Sequence, residues 1–296
     1  MGGSLRVLAW RDPARAVVGD GSEFVGSPPM IDGAFARWLA DRAGQALLEL
    51  RAEMGFADAA ALKSAGDKVS HDLIRSELAK WRPGDAVLSE EDEGSRLVGT
   101  AGGVSRLTAD RVWIIDPLDG TREFSEEGRA DWAVHVALWA RNAPTPHGLV
   151  AGAVGLPAQH RVLGTDYPPA YPPMTVEAAT SGDRTLRLAA SRSRPPAFLT
   201  ALAEDVGAQL VPMGSAGAKI AAVVTGDVDA YIHAGGQYEW DSAAPIAVAT
   251  ATGLHASRID GSALRYNEAD PRLPDLLVCR KDLASRLLAA LQRHSG

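Results

Sequence analysis

Apolar residues recur at helical spacing between Asp32 and Met54, with Phe35, Trp38, Leu39, Leu47, Leu48 and Leu50 on one face. Asp32 stands ready as an N-cap and Gly55 as a stop, so the pattern predicts a helix over 32–54. A second helix is predicted over 70–81, closed by Pro83-Gly84. The short apolar run Ala86-Val87-Leu88 reads as a buried strand that delivers the chain into Ser89-Glu90-Glu91-Asp92-Glu93. After a glycine-rich loop, Gly99–Gly103, comes the compact strand Val112-Trp113-Ile114-Ile115, expected to end abruptly at Asp116-Pro117-Leu118-Asp119-Gly120-Thr121. Residues 131–140 alternate as a half-buried strand, and 149–156 follow as another.

The proline-rich stretch from Tyr167 to Pro173 is stiff and extended, and Ser181-Gly182-Asp183 follows it, which places a domain junction near 160–185. From Leu186 the chain alternates short strands (186–190, 209–213, 230–233) with helical segments (195–206, 217–225, 242–252), and a late strand surrounds Leu276-Leu277-Val278. The expected organisation is a flexible tail over 1–30, an α+β domain over 31–165 and an α/β domain over 166–296, the two domains sharing a cleft.

Composition narrows the classes. With 296 residues, 46% hydrophobic and 23% charged, the chain is neither collagen, coiled coil nor wholesale disorder. Thirty Lys+Arg against thirty-seven Asp+Glu give a formal charge of -7, so no global positive field draws in a nucleic acid polymer or an anionic membrane. An anionic ligand must be captured locally. Cys279 is the only cysteine, which excludes an intramolecular disulfide, a thiolate zinc site and a CxxC redox pair. Arg6, Arg11, Asp12 and Arg15 interrupt any signal-peptide pattern, and Pro144, Pro146 and Pro157 break the longest uncharged segment. A cytoplasmic protein is expected, with a homodimer left open.

Three acidic features carry candidate chemistry. In the hexapeptide 116–121, Pro117 keeps Asp116 extended and Gly120 permits a tight turn that returns Asp119 towards it, so two carboxylates and the Leu118 carbonyl could converge on Mg²⁺. An Asp-Gly β-turn explains the same residues. Ser89-Glu90-Glu91-Asp92 reads either as a ligand segment or as a Ser89/Asp92 capping box. Asp241, in Trp240-Asp241, is either a ligand or the N-cap of the helix that follows. His135 and His233 lack a second histidine at ligand spacing and read as satisfied sheet residues, Trp132 and Trp139 as sheet packing, and Cys279 as a small buried hydrophobe.

Taken together and in order, Ser89-Glu90-Glu91-Asp92, Trp113 to Thr121 and Trp240-Asp241-Ser242-Ala243-Ala244 resemble the Mg²⁺-dependent, lithium-sensitive phosphatase superfamily of inositol monophosphatases, fructose bisphosphatases and bisphosphate nucleotidases. The resemblance spans roughly 35–280. It is closest to the CysQ-type 3′(2′),5′-bisphosphate nucleotidases, through "LSEED", "DPLDGTREF", Ser191-Arg192-Ser193 and Gly214-Ser215-Ala216-Gly217. It implies a layered αβαβα, sugar-phosphatase-like fold and hydrolysis of 3′-phosphoadenosine 5′-phosphate to AMP and phosphate, with a place in sulfate assimilation. Inositol-1-phosphate or fructose-1,6-bisphosphate phosphatase activity is the alternative within the superfamily, and a non-catalytic nucleotide or Mg²⁺ sensor the alternative outside it.

The resemblance further implies two or three Mg²⁺ ions, with Glu90, Asp116 and the Leu118 carbonyl holding one and Asp116, Asp119 and Asp241 completing the rest. Thr121 and Asp67 would form the catalytic pair that handles the proton of the attacking water. Around Asp67 the chain reads Lys68-Val69-Ser70 where the family has Pro-Val-Thr, and a turn aspartate capping the second helix explains Asp67 as well. The backbone N–H groups of Gly120 and Thr121 would hold a phosphate oxygen. Ser191, Arg192, Gly214, Ser215, Lys219 and Asp241 would complete the substrate site with Arg194 nearby, although surface charge explains the arginines and close helix packing explains Gly214–Gly217. Gly214 to Lys219 lacks the ending of a Walker A loop.

Overall fold

A computed structural model of the chain describes residues 28–96, 105–171, 185–193, 195 and 197–294. The expectations for the tail before residue 28, the Gly99–Gly103 loop, residues 172–184 of the junction and Arg194 lie outside the described residues.

Helix α1 (Asp32–Met54) has its predicted bounds, and Gly55, at φ 63°, ends it. Ile31 takes the N-cap position; Asp32 is the first helical residue, and its carboxylate accepts from Arg111 and Arg82 instead of capping. Helix α2 (Ala59–Trp81) begins eleven residues before the predicted start. The missed signal is Asp58, whose side chain accepts from the N–H groups of Ala60 and Ala61 and so nucleates a run of strong helix formers. Asp67 therefore lies mid-helix and is not a turn aspartate.

Strand β1 (Ala86–Ser89) pairs in parallel with β2 (Arg111–Asp119), and between them lies the short helix α3 (Glu93–Arg96). No Ser89/Asp92 box forms: Asp92 Oδ1 accepts from Ser95 N–H, while Ser89 Oγ faces His71 Nδ1 at 3.3 Å. β2 does not stop at Ile115. It runs on through Pro117, and its pairing with β3 (Ala133–Ala140) slips between Asp116 and Asp119 in a bulge that swings both carboxylates towards one region. α4 (Thr121–Phe124) is a single turn. β4 (Leu149–Leu156) and β5 (Arg161–Gly164) complete an antiparallel run, and the first sheet has the order β1-β2-β3-β4-β5.

β6 (Leu186–Ser191), α5 (Leu199–Asp205), β7 (Ala208–Met213), α6 (Ala216–Val224), β8 (Ala230–Ala234), α7 (Glu239–Thr252), β9 (His255–Ser257), β10 (Asp275–Cys279) and α8 (Ala284–His294) follow. The second sheet has the order β7-β6-β8-β10-β9. Layers stack as the resemblance implied. α1 and α2 cover one face of the first sheet through Phe35, Leu39, Ile74, Trp113 and Val136. α6 and α7 fill the space between the sheets, packing Ile220, Val223, Ala244 and Val248 against Ile114, Ala137, Leu276 and Val278. α5 and α8 close the far side on Leu188, Ile232 and Leu277. β3 is thus buried on both faces rather than half-buried, and its alternation records two different cores.

Candidate active site

The middle helical layer delivers two helix N-termini to the bulge of β2. Helix α6 starts from Ser215, whose backbone sits at φ 25° and whose Oγ accepts from Ala218 N–H. The same hydroxyl donates to Asp119 Oδ2 at 2.6 Å, and Gly217 N–H donates to that oxygen at 2.7 Å. A carboxylate at the positive end of a helix is favoured by both the hydrogen bonds and the dipole. Helix α7 starts three residues before the predicted Ser242, so Asp241 is not its N-cap; it reaches back from the first turn, its Oδ2 accepting from Tyr238 N–H at 2.6 Å.

Asp116 is 1% exposed; its Oδ1 accepts from Leu118 N–H at 3.0 Å, while its Oδ2 is buried without a hydrogen-bond partner among the described residues. Its pKa is held well above the carboxylate range by burial and then by the charges of Glu90, Asp119 and Asp241. Glu90, at the end of β1, is pushed up to about 7 by burial, with the charges of Asp119, Glu91 and Asp67 adding to the rise and the neighbouring Asp116 carboxyl opposing it. Asp241 is raised by desolvation, then by Asp119. Four acids from three stretches of the chain, Glu90 after β1, Asp116 and Asp119 on β2 and Asp241 in α7, therefore meet at one spot. Such a collection is costly without positive charge, and the oxygen-rich donor set with an orphaned Asp116 Oδ2 fits hard divalent cations. Asp116, Asp119 and His135 each offer a ligand atom within 4.8 Å of one another.

Asp67 comes alongside from α2, because Gly66 lets that helix press on the turn: a Cβ there would stand 2.7 Å from Phe124 Cε1. Its carboxyl is pushed up to about 7 by burial and by Glu91, against Lys63. Thr121 Oγ1 donates to the Leu118 carbonyl at 3.4 Å, and Gly120 takes φ 85° to make the turn. Ser70 Oγ fixes the preceding peptide by donating to the Pro117 carbonyl at 2.6 Å.

The remaining candidates lie where β6 and β7 end side by side, Ser191 opposite Met213. Arg192 is already committed, donating to Glu123 and Glu126 at 2.8 Å and thereby tying this edge to α4. Gly214 N–H donates to Asp131 Oδ2 at 2.5 Å. Lys219 is buried, with its Nζ donating to the Gly214 and Ser215 carbonyls; burial lowers its pKa while the charges of Asp119, Glu123 and Asp131 oppose this. It braces the loop rather than projecting from it.

Sequence reasoning missed Glu123 and His135. Glu123 is 5% exposed, wedged against Gly214, where a Cβ would approach within 2.3 Å. His135 is not a satisfied sheet histidine: Nδ1 donates to the Trp240 carbonyl at 3.0 Å, but Nε2 has no hydrogen-bond partner among the described residues. Only its register opposite Asp116 could have flagged it. His233, by contrast, is satisfied by the Gly235 carbonyl at 2.6 Å.

A two-sheet layered fold with acids gathered at a strand bulge and two helix N-termini is that of a metal-dependent phosphatase. The chain belongs to the inositol monophosphatase family, whose sequence pattern matches residues 34–295. Among its relatives, it is 50% identical over 269 residues to the 3′-phosphoadenosine 5′-phosphate phosphatase of Mycobacterium leprae, covering 89% of this chain and 94% of the relative. Against the protein of the same name from Mycobacterium tuberculosis the identity is 52% over 251 residues, covering 84% and 89%. The 3′(2′),5′-bisphosphate nucleotidase CysQ of Escherichia coli K12 is 28% identical over 206 residues, covering 69% and 78%. The solved structure of Mycobacterium tuberculosis SuhB shares the fold, with a TM-score of 0.63 at 24% identity over 89% of this chain and 96% of that one. Among the described residues no helix is long and apolar enough to cross a membrane.

Proposed function

We propose that this chain is a phosphomonoesterase that hydrolyses the 3′-phosphate of 3′-phosphoadenosine 5′-phosphate to AMP and phosphate, working in the cytoplasm with two or three Mg²⁺ ions. The observation that carries the phosphatase reading is the convergence of Glu90, Asp116, Asp119 and Asp241 on one buried spot. The relatives at 50% and 52% identity support the nucleotide substrate.

Glu90, Asp116 and the Leu118 carbonyl would hold one ion, with Asp116, Asp119 and Asp241 for the others. When bound, Mg²⁺ supplies the positive charge that makes water acidic enough to attack near neutral pH and that offsets charge building on the phosphoryl group. The chain's own groups do the rest. Thr121 would orient the attacking water and pass its proton towards Asp67, a carboxyl whose pKa of about 7 suits a group that takes up and releases protons at neutrality. Gly120 and Thr121 N–H would hold a phosphate oxygen at the start of the α4 turn. Ser191, Arg192, Gly214 and Ser215 would form the wall facing the second phosphate and the nucleoside, with Lys219 keeping that wall in shape and adding positive charge.

Phosphate release from 3′-phosphoadenosine 5′-phosphate, inositol-1-phosphate and fructose-1,6-bisphosphate, measured at equal concentrations with Mg²⁺, tests the reading. The nucleotide is expected to be turned over fastest. A preference for inositol phosphate overturns the substrate, and tight nucleotide binding with no Mg²⁺-stimulated release overturns the enzyme.

A further inference from the structure

His135 is the one imidazole among the described residues that touches the surroundings of three proposed ligands at once. In the sheet it stands opposite Asp116. Its Nε2 is 3.3 Å from Asp119 Oδ2, and its Nδ1 is bonded to the carbonyl of Trp240, the residue before Asp241. The ring is fully buried. A carbonyl only accepts, so Nδ1 carries the proton and the direction of that bond is fixed. The opposite edge of the ring is pressed onto the first turn of α6: a Cβ on Gly217 would fall 2.0 Å from Nε2, so only glycine fits. That same Gly217 donates its N–H to Asp119.

We propose that His135 is a positioning residue, a brace that sets the spacing between the carboxylates of the first sheet and the two helix N-termini, so that a divalent cation meets them in register. The inference rests on the metal-site reading of Asp116, Asp119 and Asp241. Bracing fits the contacts better than direct ligation does. Asp119 Oδ2, the oxygen nearest Nε2, already accepts from Ser215 and Gly217, and Gly217 crowds the nitrogen itself. Losing the ring would remove the side-chain donor that ties the Trp240 carbonyl to β3 and open a void between α6 and α7 behind the acids, letting Asp241 drift from Asp116 and Asp119.

The experiment is Mg²⁺ binding by titration calorimetry in the absence of substrate, on the wild type, His135→Ala, His135→Asn and Asp116→Asn, each first checked for a cooperative thermal transition. His135→Ala is expected to bind Mg²⁺ about 10- to 100-fold more weakly, the usual cost of removing a group that orients a ligand. His135→Asn, whose amide N–H can reach the Trp240 carbonyl, is expected to recover most of that loss. At saturating Mg²⁺ the substrate KM of both is expected within about twofold of wild type, since neither touches substrate. Wild-type Mg²⁺ affinity in His135→Ala overturns the proposal, and so does an Asn variant no better than Ala. If His135→Ala fails to fold, the Asn variant decides: near-wild-type affinity supports the brace and an Ala-like loss of 10-fold or more rejects it. Asp116→Asn separates the two layers of inference, because unchanged Mg²⁺ binding in that variant rejects the metal site itself.

Discussion

The hydroxyl of Ser215 donates to Asp119 Oδ2 across 2.6 Å, joining the loop before α6 to the bulge of β2, 96 residues earlier in the chain. Ser215 Oγ also caps α6 by accepting from Ala218 N–H, and Ser215 holds φ 25° to do both. Ser215→Ala removes a hydrogen bond to a charged group and a helix cap together. The expected cost is about 1–3 kcal/mol, read as a lower urea midpoint with an unchanged slope. A shift below about 0.5 kcal/mol, the scatter of ordinary surface substitutions, would show that the bond is replaced by water.

Asp116→Asn separates function from folding. Asp116 Oδ1 can keep its bond from Leu118 N–H as an amide oxygen, while the negative charge disappears from a group crowded by Glu90, Asp119 and Asp241. Turnover is expected to fall at least about 1,000-fold, the loss of several kcal/mol of charge stabilisation. Stability in EDTA at neutral pH is expected to match or exceed wild type, because the amide is neutral at every pH, whereas the wild-type carboxyl ionises there only at a cost. A variant both inactive and unfolded would return Asp116 to a purely structural role.

Metal removal makes stability depend on pH with a definite sign. Burial first, and neighbouring acids after it, hold Glu90 and Asp67 up to about 7, and Asp116 and Asp241 are raised as well. In the unfolded chain these acids ionise near pH 4. Between those values the folded protein holds more protons than the unfolded one, so the contribution is fully present below about pH 4 and is lost as pH rises through about 7. Ion-free protein is therefore expected to melt at lower temperature at pH 8 than at pH 5.5. Mg²⁺, which selects the ionised acids, is expected to raise the melting temperature more at pH 8. Equal gains at the two pH values would contradict this.

How far the chain discloses its site depends on whether the cause is local. α1 and β4 have their predicted bounds because period and flanking glycines act within a few residues. The hexapeptide's acids were legible through Pro117 and Gly120, but the continuation of β2 beyond Ile115 was not, since β3 pairing on the far side of the bulge supplies it. The predicted α2 is short because Asp67, after Gly66, reads as a turn aspartate before the helix; the helix runs through both because Gly66 faces Leu118 and Phe124. The environment of His135 has no local signal at all. It is set by strand register and by helices beginning 81 and 104 residues later, at Ala216 and Glu239.

Gly66 also sets two effects of opposite sign against each other. In an exposed helix interior, glycine to alanine gains up to about 1 kcal/mol. Here the new methyl would lie 2.7 Å from Phe124 Cε1 and 2.9 Å from Leu118 Cδ2. Both are side-chain ends, but Phe124 and Leu118 are 0% and 2% exposed, so they have little room to yield. Overpacking of a filled core costs about 1–3 kcal/mol, which outweighs the helix gain. Gly66→Ala is therefore expected to be destabilising overall, while Ser64→Ala on the exposed face of the same helix is neutral or slightly stabilising. The displaced pair flanks Thr121, so α2 moving outward also carries Asp67 away from the turn, and kcat is expected to fall by more than the small loss of folded protein explains. The two variants, compared by urea denaturation and by kcat at saturating Mg²⁺, give the check. A Gly66→Ala protein as stable and active as Ser64→Ala would mean that α2 does not rest on the 118–124 turn in solution.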